Sequence, residues 1–377
     1  MTSTLAIVVF FVGLLFIILI HEAGHYTVAR AFGFKVEEYF VGFGPRIWSF
    51  RRGEIDYGIK ALPLGGYVKI AGMNPYEPVA EEDLPRAYNS KPIWQRALTI
   101  FAGPGSHFVV AAILFAVWLA FFGDPRSAPV VVDKVDATLN GHPGPAFEAG
   151  LKPGDTVVAI GGVSDPNLEE VSQVLTGGAA DRPGQAIDVT VVRDERTQTL
   201  SMIPELSDVD GITIGRVGVV LAPPQAQREG VIASLVGGVK LVGQSVKESF
   251  QQIGHVFGPQ GIGRVFRLLF TDAPRNQTDS ASVVGIGQQV GATGANGDWG
   301  TILYFLAFVT VFIGLLNLIP LPPFDGGHLA VLGIEKVRGK AIDMRRLIPV
   351  SAAVMAFFVV FVLATVVLDI TKPIPAP

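Results

Sequence analysis

One stretch decides the fold class: LAIVVFFVGLLFIILIHEAGH, residues 5–25. Leu5–Ile20 is unbroken apolar sequence, and a helix that continues from His21 through Phe32 is longer than the roughly 20 residues that cross a bilayer. A secretory signal peptide would be apolar too, but residues 1–4 carry no positive charge and no small-residue cleavage site follows. The stretch therefore predicts a transmembrane helix that runs into a His-Glu-x-x-His motif.

Three further apolar stretches predict membrane spans, at about 97–122, 302–319 and 347–368. With the first, they predict a polytopic α-helical membrane protein with four transmembrane helices. The composition agrees, because 49% of the 377 residues are apolar and 16% are charged, against roughly 25% charged in soluble domains. A disordered chain is excluded, and 44 Gly with 26 Pro require β or loop structure beside the helices.

The loop charges predict the orientation of the spans, because short cytoplasmic loops are enriched in Lys and Arg. Ten such residues lie between 30 and 96 and five lie between 336 and 346, whereas residues 1–29 carry none. The C-terminal tail carries only Lys372. Both charged loops are therefore expected in the cytoplasm, with both termini and the long 124–300 segment on the extracytoplasmic side.

Charge and cysteine content exclude several classes of function. The chain has 29 basic and 33 acidic residues, so it has no basic footprint for nucleic acid. It has no cysteine, which excludes disulfides, thiolate zinc sites, iron–sulfur clusters and a cysteine nucleophile. Any metal site must therefore use His, Asp and Glu side chains.

A first group of β segments follows the first span, within residues 37–72. Short strand-like runs alternate with glycine-containing turns, and they lie at 39–41, 46–50, 55–59 and 67–70. They predict a small membrane-associated β element whose edge is able to pair with an extended peptide. A plain surface hairpin fits the pattern equally well.

A soluble α+β module is predicted for residues 129–222. Its strands are expected at 130–135, 156–160, 187–193, 198–203 and 217–221, with a short helix at 168–175. The segment 230–299 follows. It predicts an amphipathic helix at 232–257, which either lies on the membrane surface or packs against the module, a short helix at 265–270, and a loop over 271–299.

The motif His21-Glu22-Ala23-Gly24-His25 carries the chemistry. Positions i and i+4 share one face of a helix, so two neutral imidazoles can bind one Zn²⁺ while the intervening carboxylate takes a proton from the attacking water. Ionisable groups at membrane depth are costly and are usually functional. The bland alternative is a pair of helix-end histidines that face lipid headgroups.

Two histidines leave a catalytic zinc short of a third protein ligand. The candidates are the carboxylates and four further histidines: His107, His142, His255 and His328. His142 and His255 lie on the predicted outer side, whereas the third span runs inward and ends in a proline-broken segment that leads to Asp325. Such a break in an apolar span is expected where backbone lines a cavity, so Asp325 is favoured.

The chain resembles the site-2 protease family of intramembrane zinc metalloproteases, and most closely the bacterial regulators that cleave anti-sigma factors. The resemblance rests on the membrane-embedded His-Glu-x-x-His, a PDZ-like insertion and the motif Asn-x-x-Pro-x-Pro-x-x-Asp-Gly at residues 317–326, and it spans nearly the whole chain. It implies the following roles: zinc ligands His21, His25 and Asp325, general base Glu22, and substrate-holding residues Asn317, Gly42, Phe43 and Gly44.

One position departs from the family pattern. Members carry Gly-Pro-x-x-Asn at the start of the second core span, and here residues 103–107 are Gly-Pro-Gly-Ser-His. The role of His107 is therefore open between a hydrogen bond to substrate, a hydrogen bond to a neighbouring helix and, less favoured, metal ligation. His328 is expected beside the metal site rather than as a ligand.

The soluble module resembles a bacterial PDZ domain through Pro145-Ala146, through Ala-Gly-Leu-Lys-Pro-Gly-Asp at residues 149–155, and through Gly161-Gly162. The resemblance implies a peptide-binding loop formed by Arg216, Val217, Gly218 and Val219. A domain that merely packs on its neighbours is the alternative.

The resemblance implies four parts: a first half of the protease core (1–123), the PDZ-like domain (129–222), a linker with amphipathic helices (230–299) and a second half of the core (300–370). It further implies one Zn²⁺ per chain and a place in the bacterial cytoplasmic (inner) membrane. The implied partners are the lipid bilayer and single-pass membrane substrates. These are anti-sigma factors already trimmed by a site-1 protease, or signal-peptide remnants.

Two other classes of function compete with this interpretation. A catalytically inactive membrane scaffold would present the PDZ-like domain to partners, but it has no need of the intact Glu22. A transporter would explain the broken third span, but the spans show no inverted repeat.

Overall fold

The computed structural model describes residues 2–74, 76–178, 184–209, 212–223, 226–276 and 279–374. The chain divides into two compact units. The helical unit comprises Met1–Trp118 with Val231–Pro377, and the insert unit comprises Leu119–Gly230.

The α-helices of the described residues are, in chain order, α1 (Thr2–Ala31), α2 (Ile93–Phe121), α3 (Pro145–Glu148), α4 (Leu168–Gln173), α5 (Val231–Phe257), α6 (Pro259–Phe270), α7 (Val283–Ala295), α8 (Trp299–Asn317), α9 (Asp325–Arg338) and α10 (Ile348–Thr371). The strands are β1 (Val36–Arg52), β2 (Ile55–Ile70), β3 (Val130–Val135), β4 (Thr138–Leu139), β5 (His142–Pro143), β6 (Thr156–Ile160), β7 (Val163–Ser164), β8 (Ile187–Arg193), β9 (Arg196–Met202), β10 (Glu205–Val209), β11 (Ile212–Arg216) and β12 (Val219–Leu221). Short 3-10 turns lie at Glu81–Arg86, Tyr88–Ser90, Pro125–Ser127 and Met344–Leu347, and a π-turn lies at Val174–Gly178.

Four helices of the described residues are long and apolar enough to cross a membrane, which confirms the predicted number. They are Thr2–Ala31, Ile93–Phe121, Trp299–Asn317 and Arg345–Thr371. The first helix continues well past the His-Glu-x-x-His motif, and the second begins four residues before the predicted start. Helices extend beyond their apolar stretch because backbone hydrogen bonds continue where hydropathy no longer marks them.

The predicted β element is a curled antiparallel hairpin of β1 and β2. Tyr39 pairs with Val68 on one side and with Tyr57 on the other, so the two long strands bend into four neighbouring segments. The glycine-containing turns predicted between the strand-like runs include Gly42–Gly44 and Gly65–Gly66, and for these two the prediction is wrong, because both lie inside the strands. Glycines in a strand allow the bulges at which the ladder changes register, and the φ of Gly42 is +85°.

The base of the hairpin packs on the end of α1. Buried apolar side chains from both elements form one cluster that includes Ala29, Val36 and Ile70. At the turn between the strands, the Glu54 carboxylate accepts hydrogen bonds from Arg86 Nη1 at 2.8 Å and from Lys35 Nζ at 3.2 Å. The hairpin is therefore fixed to its neighbours within the helical unit by both apolar packing and charge.

Helix α7 corrects the expectation that residues 271–299 are a loop. Three of its four glycines face α1, and a Cβ at Gly294 would lie 2.2 Å from the Cβ of Ala6. Ser282 caps its first turn by accepting a hydrogen bond from the N–H of Val284. A Gly-rich composition suggested a loop, whereas in an apolar helix small residues permit close helix–helix packing.

Of the two predictions for α5, packing against the soluble module is wrong, because the helix belongs to the helical unit, whereas a place on the membrane surface stays a prediction. A Cβ at Gly238 would lie 2.4 Å from the carbonyl oxygen of Ala112, so α5 packs closely on α2, and it also contacts α8. The buried face of this helix carries mostly small or polar residues: Ser234, Gly238, Leu241, Ser245 and Ser249. The apolar residues on which the amphipathic pattern rests, among them Ile232, Val236 and Val239, are exposed, so the pattern did not indicate the buried face.

A buried ion pair anchors the end of α10. Asp369 Oδ1 lies 2.7 Å from Arg275 Nη1, and both side chains are almost fully buried. Asp369 Oδ2 accepts hydrogen bonds from the N–H groups of Ser282 (2.7 Å) and Gly285 (2.9 Å) at the start of α7. The fourth candidate span is thereby joined to the helix that packs on the first.

The insert unit contains an antiparallel sheet in the order β12-β3-β6-β8-β9, with β7 beside β6. The predicted strands and the predicted helix are present, each with bounds within two residues of the prediction. In the loop at 149–155, the Asp155 carboxylate accepts hydrogen bonds from Arg193 Nε (2.7 Å) and from the N–H of Lys152 (2.8 Å). The sheet core and this buried carboxylate hold the loop in place.

Candidate active site

Three side chains meet where α1 and α9 approach each other. The Nε2 atoms of His21 and His25, one turn apart on α1, are 3.2 Å from each other. Asp325, the first residue of α9, places Oδ2 at 3.3 Å from His21 Nε2 and at 3.4 Å from His25 Nε2. Within the described residues these three form a group able to hold a metal ion, and they are the three ligands that the sequence predicted.

The spacing of these donor atoms fits a zinc ion. Tetrahedral coordination with bonds of about 2.0–2.1 Å places neighbouring ligand atoms about 3.3 Å apart, and the three distances are 3.2, 3.3 and 3.4 Å. Two imidazoles and one carboxylate are also the donor types that zinc binds when no thiolate is present. Three protein ligands leave the fourth position open, as catalytic rather than structural zinc sites require.

Gly103 of α2 supplies the space for this group. A Cβ at Gly103 would lie 2.2 Å from His25 Nε2 and 2.9 Å from His21 Cε1. On the facing helix, a Cβ at Gly24 would lie 2.4 Å from the carbonyl oxygen of Ala102. Helices α1 and α2 therefore cross at glycines, and the crossing leaves no room for a side chain beneath the imidazoles.

The second nitrogen of each imidazole has its own partner. His25 Nδ1 lies 2.8 Å from the carbonyl oxygen of Thr99, so it donates its proton there and leaves Nε2 free for a metal. His21 Nδ1 lies 3.0 Å from Nε2 of His107. Of the roles that the sequence left open for His107, the structure shows a hydrogen bond to a neighbouring helix.

Glu22 lies next to the three predicted ligands. Its carboxylate is close enough to interact electrostatically with His21, His25 and Asp325, and it faces the backbone N–H of Val68. A Cβ at Gly66 would lie 2.9 Å from Glu22 Cγ. Strand β2 therefore passes directly against the carboxylate, a contact that the sequence did not reveal.

Asp325 is positioned by a folded-back connection between α8 and α9. The segment 318–324 includes a cis peptide bond between Pro322 and Pro323. A Cβ at Gly326 would lie 2.2 Å from the carbonyl oxygen of Leu318, and one at Gly327 would lie 2.4 Å from the nitrogen of Pro322. The two glycines after the carboxylate thus allow the connection to close over the start of α9.

The residues predicted to hold substrate adjoin elements of this centre along the chain or in the hairpin. Asn317 is the last residue of α8, immediately before the connection that leads to Asp325. Phe43 is 46% exposed, and its ring stacks on Tyr67 with 6.4 Å between ring centroids. Val41, the residue before Gly42, pairs with Gly66, so the Gly42–Gly44 segment follows the part of the hairpin that touches Glu22.

His328 lies one turn beyond Asp325 on α9. It lines a cavity of about 210 Å³ together with Tyr88, Arg96 and Glu335. Arg96 and Glu335 form an ion pair of 3.1 Å in the wall of this cavity. His328 therefore borders a cavity whose wall contains an ion pair, and it is outside the three-residue group itself.

The predicted peptide loop of the insert unit borders a second cavity. Arg216, Val217, Gly218 and Val219 line about 260 Å³ together with Leu175 and other residues of the segment that follows α4. Strand β12, which begins at Val219, is at the edge of the sheet. An edge strand beside a cavity is a surface on which an extended peptide is able to add as a further strand.

Comparison with known proteins agrees with the geometry. The chain matches the family described as peptidase family M50 over residues 9–363. It is 32% identical to the zinc metalloprotease Rip1 of Mycobacterium tuberculosis, over 98% of each chain. It is 31% identical to a putative zinc metalloprotease of Brucella suis (91% of this chain, 86% of the relative) and 31% identical to one of Nostoc sp. (87% and 86%).

These matches cover nearly the whole length of both partners, including both candidate halves of the site. They confirm the family resemblance that the His-Glu-x-x-His and Asn-x-x-Pro-x-Pro-x-x-Asp-Gly motifs indicated. The chain belongs to peptidase family M50, the site-2 proteases, and is a zinc metalloprotease of the membrane.

Proposed function

We propose that this zinc metalloprotease hydrolyses peptide bonds within the transmembrane segments of single-pass membrane proteins. The observation that carries the proposal is the position of the three candidate metal ligands. His21 and His25 belong to a helix of membrane-spanning length and composition. Asp325 follows the third such helix and the connection after it. A hydrolytic centre built into spanning helices is suited to substrates that are themselves in the membrane.

His21, His25 and Asp325 are the proposed zinc ligands. Zinc, when it is bound there, lowers the pKa of a water molecule and polarises the scissile carbonyl. Thr99, through its carbonyl oxygen, holds the His25 ring with Nε2 turned to the centre. The carboxylate of Asp325 contributes the negative charge that two neutral imidazoles lack.

Glu22 is the proposed general base. Its carboxylate takes a proton from the attacking water and later delivers it to the leaving amine. The absence of a side chain at Gly66 leaves room for Glu22 directly against β2, where its carboxylate faces the N–H of Val68. A scaffold protein would have no need of such a positioned carboxylate, which is why we favour the protease.

Substrate binding requires local unwinding, because a peptide bond inside a helix is shielded by its own hydrogen bonds. We propose that the unwound segment adds to the hairpin near Gly42, Phe43 and Gly44, and that Asn317 holds its backbone near the zinc. Support comes from the hairpin's contact with Glu22 and from the place of Asn317 just before the Asp325 connection.

For the insert unit we propose a PDZ-like domain on the extracytoplasmic side of a bacterial cytoplasmic membrane. The loop charges support this orientation, with both termini on the same side. The cavity beside Arg216–Val219 and the edge strand β12 support peptide binding. Two tasks are open to this domain: binding the new C-terminus of a substrate at that loop, or excluding substrates that still carry a large outer domain. We propose the second, so that the substrates cleaved are an anti-sigma factor already trimmed by a site-1 protease or a signal-peptide remnant.

The test compares the membrane proteomes of cells that carry the wild-type chain, Glu22→Gln or Glu248→Gln. Glu248 is an exposed residue of α5, so its variant controls for the chemical change alone. We expect transmembrane stubs of single-pass proteins to accumulate only with Glu22→Gln. Equal stub levels in all three strains would rule out the proposed cleavage.

A further inference from the structure

His107 lies directly behind the metal group, on α2. Its side chain is 1% exposed, and its Nε2 is 3.0 Å from Nδ1 of His21. The opposite nitrogen of His21, Nε2, faces His25 and Asp325. The His21 ring is therefore held between the candidate metal position on one side and His107 on the other.

The direction of this hydrogen bond follows from the proton positions. A His21 that binds metal through Nε2 carries its proton on Nδ1, so Nδ1 is the donor. His107 Nε2 must then accept, which places the single proton of a neutral His107 on its own Nδ1. The carbonyl oxygen of Thr99 serves His25 in the same way, as an acceptor at 2.8 Å.

Packing alone does not explain a histidine at this position. His107 Nδ1 is buried and has no hydrogen-bond partner among the described residues, and a buried polar atom without a partner is destabilising. A Cβ at Gly314 of α8 would lie 2.7 Å from His107 Cβ, so the facing helix has a glycine where the two helices touch. A histidine at position 107 therefore leaves one nitrogen unpaired and requires a glycine on the facing helix. The polar contact that its side chain makes in return is the hydrogen bond to His21.

We infer that His107 is a positioning residue for the zinc site: its Nε2 accepts the Nδ1–H of His21 and thereby fixes the tautomer and the ring orientation of that ligand. The inference rests on the proposed role of His21 as a zinc ligand.

The experiment measures zinc affinity of the purified full-length chain in detergent, by competition with a chelator. His107→Leu and His107→Phe remove the acceptor and keep an apolar side chain in its place, so either one serves if the other is not recovered. His107→Gln restores an acceptor with similar reach. Phe115→Leu, a buried change on the same helix, controls for general loss of stability, and His21→Ala controls for the ligand itself.

We expect the Leu and Phe variants to bind Zn²⁺ about 10- to 100-fold more weakly than wild type, as for other residues that orient metal-binding histidines. The Gln variant and Phe115→Leu should stay close to wild type. The visible spectrum of the Co²⁺-loaded protein should change in the Leu and Phe variants and return with Gln, which a purely structural role would not produce.

Two results would overturn the inference while leaving the proposed ligands intact, provided that His21→Ala no longer binds zinc. The first is wild-type zinc affinity in both His107→Leu and His107→Phe. The second is an equal loss of zinc affinity in His107→Gln and His107→Leu. If His21→Ala itself binds zinc as tightly as wild type, the proposed ligand set is wrong and the inference falls with it.

Discussion

The backbone of Gly103 lies directly beneath the ring of His25, so that a Cβ on Gly103 would lie 2.2 Å from His25 Nε2. A methyl group at this position cannot coexist with the ring as it stands. Because the same nitrogen faces the candidate metal position, the crossing of α1 and α2 determines whether the ligands can converge at all.

Gly103→Ala should therefore reduce zinc content strongly while the chain remains folded, since alanine is a good helix former. Gly105→Ala is the matched control, because its Cβ would meet only the ring edge of Phe101, at 3.2 Å. Zinc per chain, measured on both purified variants, checks this. Normal zinc content in Gly103→Ala would show that the helices can separate here at little cost.

The charge cluster at the hairpin turn gives a pH dependence. The Arg86 guanidinium beside Glu54 lowers the pKa of that carboxyl to about 2, from 4.5, against the opposing effect of burial and with help from Lys35. Because the pKa is lower in the folded state, the stabilisation is complete above about pH 4.5 and is lost as the pH falls toward 2.

Glu54→Gln should accordingly lower the Tm at pH 6, and the difference from wild type should shrink as the pH is reduced to 3. Thermal unfolding of both proteins in the same detergent across this range measures it. A difference in Tm that is constant with pH would mean that the ion pairs with Arg86 and Lys35 contribute nothing to stability.

The buried pair of Arg275 and Asp369 should couple the end of α10 to the start of α7. Removal of one member leaves the other charge buried and unpaired, so Asp369→Leu and Arg275→Leu should each destabilise the helical unit by on the order of 3–5 kcal/mol. The double variant should lose less than the sum of the two, because it leaves no uncompensated charge. The free energies of unfolding of the wild type, the two single variants and the double variant make up a double-mutant cycle. If the two losses simply add, the two side chains are not coupled.

Asp155 should be the corresponding anchor in the insert unit. Its side chain is 1% exposed and is bound by Arg193 and by the N–H of Lys152. Asp155→Asn should weaken the loop at 149–155 by on the order of 3 kcal/mol, and Asp133→Asn, on an exposed position of β3, should not. Amide hydrogen exchange of the full chain measures this effect residue by residue. Unchanged protection of β6 and β8 in Asp155→Asn would contradict the prediction.

Features that follow from a local residue pattern, such as the spans, the candidate ligands and several strands, could be predicted from the sequence. His21, His25 and Asp325 were found from spacing, membrane topology and a family motif, because two imidazoles one helical turn apart need a third ligand on the same side. Five strands of the insert unit were predicted because alternation and turn residues mark them well, whereas β4, β5, β7, β10 and β11 were not predicted. The predicted roles of Asn317, Gly42–Gly44 and Arg216–Val219 stay predictions.

What the sequence did not predict depends on tertiary contacts. The composition of α7 predicts a loop because glycines weaken an isolated helix, and only the facing surface of α1 makes them favourable. Gly66 and Gly103 were not identified as parts of the site, since a missing side chain becomes functional only through what lies opposite it. The bond between His107 and His21 joins residues 86 positions apart, which no local pattern reveals.

The central claim is that His21, His25 and Asp325 hold a catalytic zinc. The most direct measurement is zinc per chain in the purified full-length protein, for wild type, Asp325→Ala, Glu22→Gln and the exposed control Asp133→Ala. We predict one zinc in wild type, in Glu22→Gln and in Asp133→Ala, and a marked loss in Asp325→Ala. A full zinc complement in Asp325→Ala would contradict the account and would transfer the third-ligand role to another residue.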